Sequence, residues 1–215
     1  MLMEYSIIPE FEYANFFKHS LHVPGIMIIG RDVEERKRLI RNIMVCLDVS
    51  QGLIISKQVD YYVYVSETYN IRTTISENYY DELICSLRNE QIYHDLPKCC
   101  LVIDDMLQYR HVGARGGTFD CIVKTHKVLN IAPLIITTSS AIRFIPQILD
   151  QFEFVILMHE SCPHKLNEMY TDYGSLIFPM YADYLLLMTK MTQHNRNLII
   201  NLKSKKYYFI STMSI

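Results

Sequence analysis

Two adjacent carboxylates, Asp104 and Asp105, directly follow a short apolar run with the composition of a buried strand. Acidic side chains at the end of a strand can bind a magnesium ion and orient a water molecule for attack on a phosphate. The pattern is unspecific when taken alone, because any buried strand can end in an aspartate. The chemistry therefore depends on what the rest of the chain places beside this pair.

A second segment has the layout of a phosphate-binding loop but lacks its usual residues. Residues 26–29 predict a buried strand, Gly30 follows, and residues 32–47 predict an amphipathic helix. Nucleotide-binding folds hold phosphate between such a strand and helix with the loop G-x-x-x-x-G-K-[ST]. This chain has GRDVEERKRL instead, with Glu34 and Glu35 where small residues are needed. Because backbone N–H groups cradle phosphate only when side chains leave room, we expect the two glutamates to crowd and repel a triphosphate.

Short apolar runs alternate with amphipathic segments along the chain, which predicts an α/β fold with a mostly parallel central sheet and helices on both faces. Strands are predicted at residues 26–29, 59–65, 101–105, 134–138, 154–158, 197–201 and 206–211. Helices are predicted at residues 32–47, 77–89 and 119–128, within 141–151, and through much of the segment from 163. Ligands bind such sheets at the carboxyl ends of the strands. The residues predicted to meet at that edge are Gly30, Asp104, Asp105, Thr137, Thr138 and Ser139.

Composition restricts the partners and the compartment. The formal net charge of −2 over 215 residues gives no overall attraction for nucleic acid, so a DNA contact requires a local basic patch. The Gly-rich loop at 110–118 supplies one candidate through Arg110 and Arg115, the alternative being an ordinary surface loop.

The six cysteines form no C-x-x-C pair, and HESCPH at 159–164 matches no zinc ligand set, so neither a disulfide framework nor a metal centre is predicted. The start of the sequence is not a signal peptide and no apolar run reaches 18 residues, so we expect a protein that is not secreted and has no membrane-spanning segment.

Several segments together resemble a known family of viral motors. IMIIGRDVEERKRLI, VDYYVYVSET, CCLVIDDM and KTHKVLNIAPLIITTSSAIRFIPQILDQFEFVIL are similar to the poxvirus-type genome-packaging ATPases of large DNA viruses, in the FtsK/HerA branch of RecA-like P-loop NTPases. The resemblance runs from about residue 24 to about 202. It implies a RecA-like P-loop NTPase sandwich at residues 24–205, preceded by an N-terminal extension at 1–23 and followed by a C-terminal strand or tail at 206–215.

The same resemblance assigns roles to individual positions. LVIDD corresponds to the Walker B motif, in which Asp104 would bind magnesium and Asp105 would activate the attacking water. Glu35 falls on the loop glycine, Arg36 on the phosphate-binding lysine and Lys37 on the hydroxyl residue, while a shift of one residue would make Lys37 the phosphate lysine. Ser139 falls on the sensor glutamine, and its side chain is too short for the same contact with the γ-phosphate. The Walker A motif is thus degenerate and the Walker B acids are intact.

These departures predict a pseudo-ATPase, with no cofactor, that acts as a structural or scaffolding component of a large DNA virus particle. Its partners would be other viral structural proteins and copies of itself, in the virion and in the host cytoplasm or viral factory. One alternative is an active or weakly active packaging motor that uses ATP and magnesium, with Asp105 and Ser139 as catalytic residues. A second is a non-catalytic DNA-binding module. Asp104 and Asp105 have an alternative structural role, in which they cap a turn or pair with neighbouring basic residues. A basic cluster early in the predicted helix forms either a phosphate-binding patch or a solvated helix face; its members are Arg36, Lys37, Arg38 and Arg41.

Overall fold

A computed structural model describes residues 10, 12–13, 25–46, 51–56, 70–74, 85, 89, 99–105, 118–129, 131–138, 149–192 and 196–211. Eight strands occur within these residues. They are β1 (Gly25–Ile29), β2 (Gln51–Ser56), β3 (Asn70–Thr74), β4 (Cys99–Asp104), β5 (Ile131–Thr138), β6 (Phe152–Leu157), β7 (Arg196–Asn201) and β8 (Lys206–Ser211). The described helices are α1 (Val33–Cys46), α2 (Thr118–Thr125), α3 (Pro163–Asp172) and α4 (Tyr181–Met191), with a 3-10 turn at Gly174–Leu176.

The strands form one sheet in the order β3-β2-β4-β5-β1-β6-β7-β8. Strands β1 to β6 pair in parallel, whereas β7 runs antiparallel to β6 and β8 antiparallel to β7. The predicted α/β class with a mostly parallel sheet is therefore confirmed. Since β5 lies between β1 and β4, its carboxyl end separates the loop after β1 from the acidic pair after β4.

The central strands are buried on both faces, as is typical of a parallel sheet covered by helices. Every residue of β1, β4 and β6 is buried, as their nearly unbroken apolar runs predict. Ile26 and Ile28 pack on one face with Leu39 and Ile43 of α1. Met27 and Ile29 point to the opposite face. The other members of that second core include Ile122 of α2, Leu166 and Met169 of α3, and Leu187 of α4.

Most of the predicted elements coincide with observed ones to within a few residues, including the last two strands. The predicted strand at 59–65 lies outside the described residues, as does nearly all of the predicted helix at 77–89 and of the segment at 141–151. The sequence did not predict β2 or β3. In β2, Gly52 weakens the strand pattern, and its function appears only in the folded sheet. A Cβ there would lie 2.3 Å from the Cys100 Sγ of β4, so only glycine fits between these two strands.

No helix among the described segments is both long enough and apolar enough to cross a lipid bilayer. The C-terminal hairpin of β7 and β8 continues the same sheet as the central strands. The boundaries of residues 24–205 as a separate domain remain a prediction.

Candidate functional site

The loop after β1 is very short. Only Arg31 and Asp32 separate Gly30 from the first residue of α1. The Oδ1 atom of Asp32 accepts a hydrogen bond from the backbone N–H of Glu35 at 3.0 Å, and its carbonyl accepts one from the N–H of Arg36 at 3.0 Å. Asp32 is thus the N-cap of α1, and its carboxylate occupies an amide that a bound anion would otherwise use.

Gly30 is fixed by contacts on both sides. Its N–H donates to the carbonyl of Thr138 at 3.0 Å, which ties the loop to the end of β5. A Cβ at this position would lie 2.4 Å from the Met158 Cβ and 2.6 Å from its Sδ, so a larger residue would clash with the residue that follows β6. The glycine therefore permits close packing of backbone against a side chain.

Arg36 lies at the centre of the site. Its side chain is only 3 % exposed. One guanidinium nitrogen donates to the carbonyl of Gly30 at 2.7 Å, Nε lies 3.4 Å from Oδ1 of Asp104, and Nη2 lies 3.9 Å from Oδ2 of Asp105. A single buried cation therefore connects the loop after β1 to both acids after β4.

Asp104 is held by hydroxyl groups as well as by the guanidinium. The Ser56 hydroxyl, at the end of β2, donates to Oδ2 at 3.0 Å, and the Thr137 hydroxyl of β5 donates to Oδ1. Asp105 is more open, with 38 % of its side chain exposed. Its φ of 53° lies in the left-handed region, which aspartate tolerates in turns, and its N–H donates to the carbonyl of Thr137 at 3.2 Å. Three neighbouring strands thus position the two carboxylates.

The two glutamates of the loop segment are directed to other partners. Glu34 is exposed and pairs with Lys37 at 3.3 Å, as expected for a solvated helix face. Glu35 is buried, and its Oε1 accepts a hydrogen bond from Nδ2 of Asn197 in β7 at 3.0 Å. The glutamates therefore do not crowd the loop as we expected. The Arg36 side chain packs against the Gly30 carbonyl, and the Asp32 carboxylate caps the first turn of α1.

Arg31 connects the same loop to the segment after β6. Its Nε donates to Oε2 of Glu160 at 3.0 Å, and its second nitrogen donates to Oε1. That oxygen also accepts the backbone N–H groups of Ser161 at 2.9 Å and Cys162 at 2.8 Å. Burial raises the pKa of the Glu160 carboxyl, but the Cys162 N–H and the Arg31 guanidinium oppose it, and the net effect is a lowered pKa. Arg31 thus connects the loop to the segment after β6, and Arg36 connects it to the acids after β4.

The acidic pair is the part of this site most suited to a metal. Carboxylate oxygens are ligands that magnesium accepts, usually together with waters. In this structure the Arg36 guanidinium supplies the positive charge beside both carboxylates. Within the described residues, no group of three or more His, Cys, Asp or Glu side chains is arranged to hold a metal ion, and this includes the HESCPH segment.

The predicted convergence at the carboxyl edge is confirmed for five of its residues. Gly30, Asp104, Asp105, Thr137 and Thr138 meet there through the contacts given above. Three further candidates, Ser139, Arg110 and Arg115, lie outside the described residues.

Sequence reasoning missed Asp32, Ser56 and Glu160. An Asp followed three residues later by Glu is a helix N-cap signal and could have identified Asp32. The other two carry no local signal, because their partners are distant in the sequence.

Comparisons with known proteins show a fold relationship without a detectable sequence relationship. No protein-family model matches the chain, and no curated protein sequence matches it. Solved structures do match. The genome packaging NTPase B204 from Sulfolobus turreted icosahedral virus 2, in complex with ATP-gammaS, superposes with a TM-score of 0.63 at 14 % identity, covering 87 % of this chain and 96 % of that one.

Two further structures support the same fold. B204, the DNA-packaging ATPase from Sulfolobus turreted icosahedral virus, gives a TM-score of 0.61 at 17 % identity, covering 86 % of this chain and 96 % of that one. The pCW3 conjugation coupling protein TcpA gives 0.60 at 10 % identity, covering 87 % of this chain and 59 % of that one. At these identities the likeness establishes a P-loop NTPase type of fold, and function has to be argued from the site.

Proposed function

We propose that this protein is a pseudo-ATPase, derived from a poxvirus-type genome-packaging ATPase, that acts as a structural or scaffolding component of a large DNA virus particle. The observation that carries the proposal is the position of Arg36. Its guanidinium is buried against Gly30, Asp104 and Asp105, where a motor of this fold would need room for phosphate and magnesium.

Charge explains why the arginine would exclude a nucleotide. Unit charges about 4 Å apart attract each other by roughly 4 kcal/mol at an effective dielectric constant near 20. Magnesium could use the Asp104 carboxylate only if Arg36 moved out, and the guanidinium would then lose its contacts with both acids and with the Gly30 carbonyl. The internal ion pair therefore competes directly with a bound metal–nucleotide complex.

The backbone supports the same conclusion. A phosphate loop wraps its ligand with several free N–H groups, but here two residues connect Gly30 to α1. The N–H of Gly30 is bonded to β5, and the N–H groups of Glu35 and Arg36 are bonded to Asp32. Three amides at this end of the sheet are thus already bonded within the chain and do not serve a triphosphate, so turnover at a useful rate is not expected.

The structural role rests on the combination of this filled site with a packaging-type fold. A chain that has lost its chemistry can retain the fold as a surface for binding other viral structural proteins or copies of itself. The expected location is the virion and the host cytoplasm or viral factory. No cofactor is part of this proposal.

An active or weakly active packaging motor is the second candidate. It is favoured by the similarity to a genome packaging NTPase in complex with ATP-gammaS, and by the position of Asp104 and Asp105 at the expected strand end. In that case Arg36 would turn from the acids to the phosphates when ATP and magnesium bind, and Asp105 would activate the water.

Nucleotide binding separates the two candidates. The purified protein is titrated with a fluorescent ATP analogue up to millimolar concentration, with and without magnesium, and phosphate release is measured in parallel. The proposal predicts neither magnesium-dependent binding nor release above that of Asp105→Asn. Magnesium-dependent binding together with hydrolysis that is lost in Asp105→Asn would establish the motor instead.

The structural role has its own test, which is the copy number and position of the protein in its native particle. Many copies distributed through the shell would support it. A ring of a few copies at a single vertex would contradict it and favour packaging.

A further inference from the structure

Residues from the start of the chain lie against the outer side of strand β8. This strand is the last of the sheet, and its inner side pairs with β7, where Phe209 is opposite Leu198. On the outer side, Glu10 forms a parallel β-bridge with Phe209. We call Glu10, Glu12 and Tyr13 the N-terminal clasp. Because the backbone groups of an edge strand can pair with another chain, the residues that cover the edge control access to it.

Tyr13 binds the clasp to two elements of the domain. Its hydroxyl donates to the carbonyl of Ser211 in β8 at 3.2 Å and accepts a hydrogen bond from Nδ2 of Asn42 in α1 at 3.3 Å. The ring is partly buried against the core on the α1 side of the sheet, and this burial raises the pKa of the hydroxyl. The phenol is therefore protonated at physiological pH and able to donate.

The clasp and β8 differ in their tendency to pair with a further strand. Residues 207–210 of β8 read YYFI, an uncharged run of aromatic and β-branched residues that favours strand pairing. In the clasp, Glu10 and Glu12 are exposed, and a proline precedes Glu10 in the sequence. Charged side chains and proline discourage pairing at a sheet edge. The clasp therefore covers an edge that favours pairing with residues that do not.

We propose that the outer edge of β8 is a docking surface for β8 of a second copy of this chain, and that the N-terminal clasp must be released before the two copies pair. Two identical strands can pair antiparallel about a twofold axis, which extends the sheet of one copy into the other. Because residues 207–210 are uncharged, this pairing opposes no like charges at its centre.

The inference goes beyond the proposed function. β8 is three strands away from β1 in the sheet, and the contacts of the clasp are separate from those of Arg36. The docking surface would therefore serve a pseudo-ATPase and an active motor equally, and its test is independent of nucleotide binding.

The equilibrium between a bound and a released clasp sets the strength of dimerisation. Tyr13→Phe keeps the ring but removes both hydrogen bonds of the hydroxyl, which should raise the population of released chains about tenfold. Since both copies must release their clasps, the apparent dissociation constant of the dimer varies with the inverse square of that population. The substitution should therefore lower this constant by about 100-fold.

The test is sedimentation equilibrium of the full chain at several protein concentrations. The matched control is Tyr170→Phe, which removes a hydroxyl of α3 that donates to the carbonyls of Phe178 and Pro179, and it should associate as the unmodified protein does. Circular dichroism checks that both variants are folded. A Tyr13→Phe variant that associates no more strongly than the unmodified protein would overturn the proposal.

A substitution within β8 tests the surface itself. In antiparallel pairing centred on Tyr208 or Phe209, the two copies of residue 208 are directly opposite or diagonal neighbours, so Tyr208→Lys brings two ammonium groups together. The double variant Tyr13→Phe/Tyr208→Lys should therefore lose the association gained by Tyr13→Phe. Association that persists unchanged in the double variant would also overturn the proposal, because the contact would then lie on another surface.

Discussion

Replacing Arg36 by methionine tests the central ion pair directly. Methionine keeps an unbranched apolar side chain but removes the charge and the hydrogen-bond donors. The substitution leaves the Gly30 carbonyl without its 2.7 Å donor and leaves Asp104, 3 % exposed, without a cation. Removing one partner of a buried pair typically costs about 3–5 kcal/mol. The exposed pair with Asp105 adds less than about 1 kcal/mol, because solvent screens it.

The Ser56 and Thr137 hydroxyls still stabilise the Asp104 carboxylate in the variant. We therefore expect the free energy of unfolding to fall by about 3 kcal/mol, the lower end of that range. For a chain of 215 residues this corresponds to a decrease in Tm of about 6–12 °C. The measurement is urea unfolding followed by circular dichroism at pH 7. Lys37→Met is the matched control, since it removes a cation whose partner is exposed, and it should cost no more than about 0.5 kcal/mol.

A double-mutant cycle with Asp104→Asn separates the ion pair from general damage to the helix. If the guanidinium interacts with this carboxylate, the two substitutions together should cost about 2 kcal/mol less than the sum of their separate effects. Additive effects, or an Arg36→Met variant as stable as Lys37→Met, would refute the assignment of Arg36 to the acidic pair. Arg36 would then not account for the loss of nucleotide binding that we propose.

Three other substitutions test the surroundings of this pair. Gly30→Ala should lower the free energy of unfolding by about 1–3 kcal/mol, because its Cβ would overlap the Met158 side chain, and a differential scanning calorimetry trace unchanged from the unmodified protein would contradict the packing. Thr137→Val removes a hydroxyl donor to the buried Asp104 carboxylate and should cost about 1.5–3 kcal/mol in urea unfolding, whereas a cost below about 0.5 kcal/mol would argue against that hydrogen bond. Glu160→Gln should flatten the acid side of the stability–pH curve. The folded pKa of Glu160 is lowered, so its contribution is present above the ordinary value of 4.5 and is lost as the pH falls through the folded value. Unfolding measured between pH 7 and pH 3 checks this, and curves of equal slope for the two proteins would show that Glu160 is not the titrating group.

The sequence by itself determined the central part of the fold. The nearly unbroken apolar runs of β1, β4 and β6 indicate burial on both faces, which favours a parallel sheet covered by helices. Parallel strands place their carboxyl ends together, so Gly30, Asp104 and Thr137 could be assigned to one edge before any contact was known.

The departure from the G-x-x-x-x-G-K-[ST] pattern was readable in the sequence, since GRDVEERKRL lacks its second glycine and its hydroxyl residue. Which side chains lie at the carboxyl end of β1 in the folded chain was not readable. Glu34 and Glu35 were expected to be the obstacle, because charge and size are readable in sequence. The direction in which each side chain leaves the first turn of α1 is not readable in the same way.

Only the tertiary structure decided the partners of these charges. Arg36 reaches the acids of β4 because β4 and β1 are separated by the single strand β5, whereas Lys37, one residue later on the helix, is turned toward Glu34. Likewise, Lys127 and Lys203 are 76 positions apart in the chain and meet at Glu153 because β5, β1, β6 and β7 lie side by side. Periodicity and propensity are properties of neighbouring residues, so they specify strands and helices. Ion pairs between distant residues depend on strand order, which no local pattern encodes.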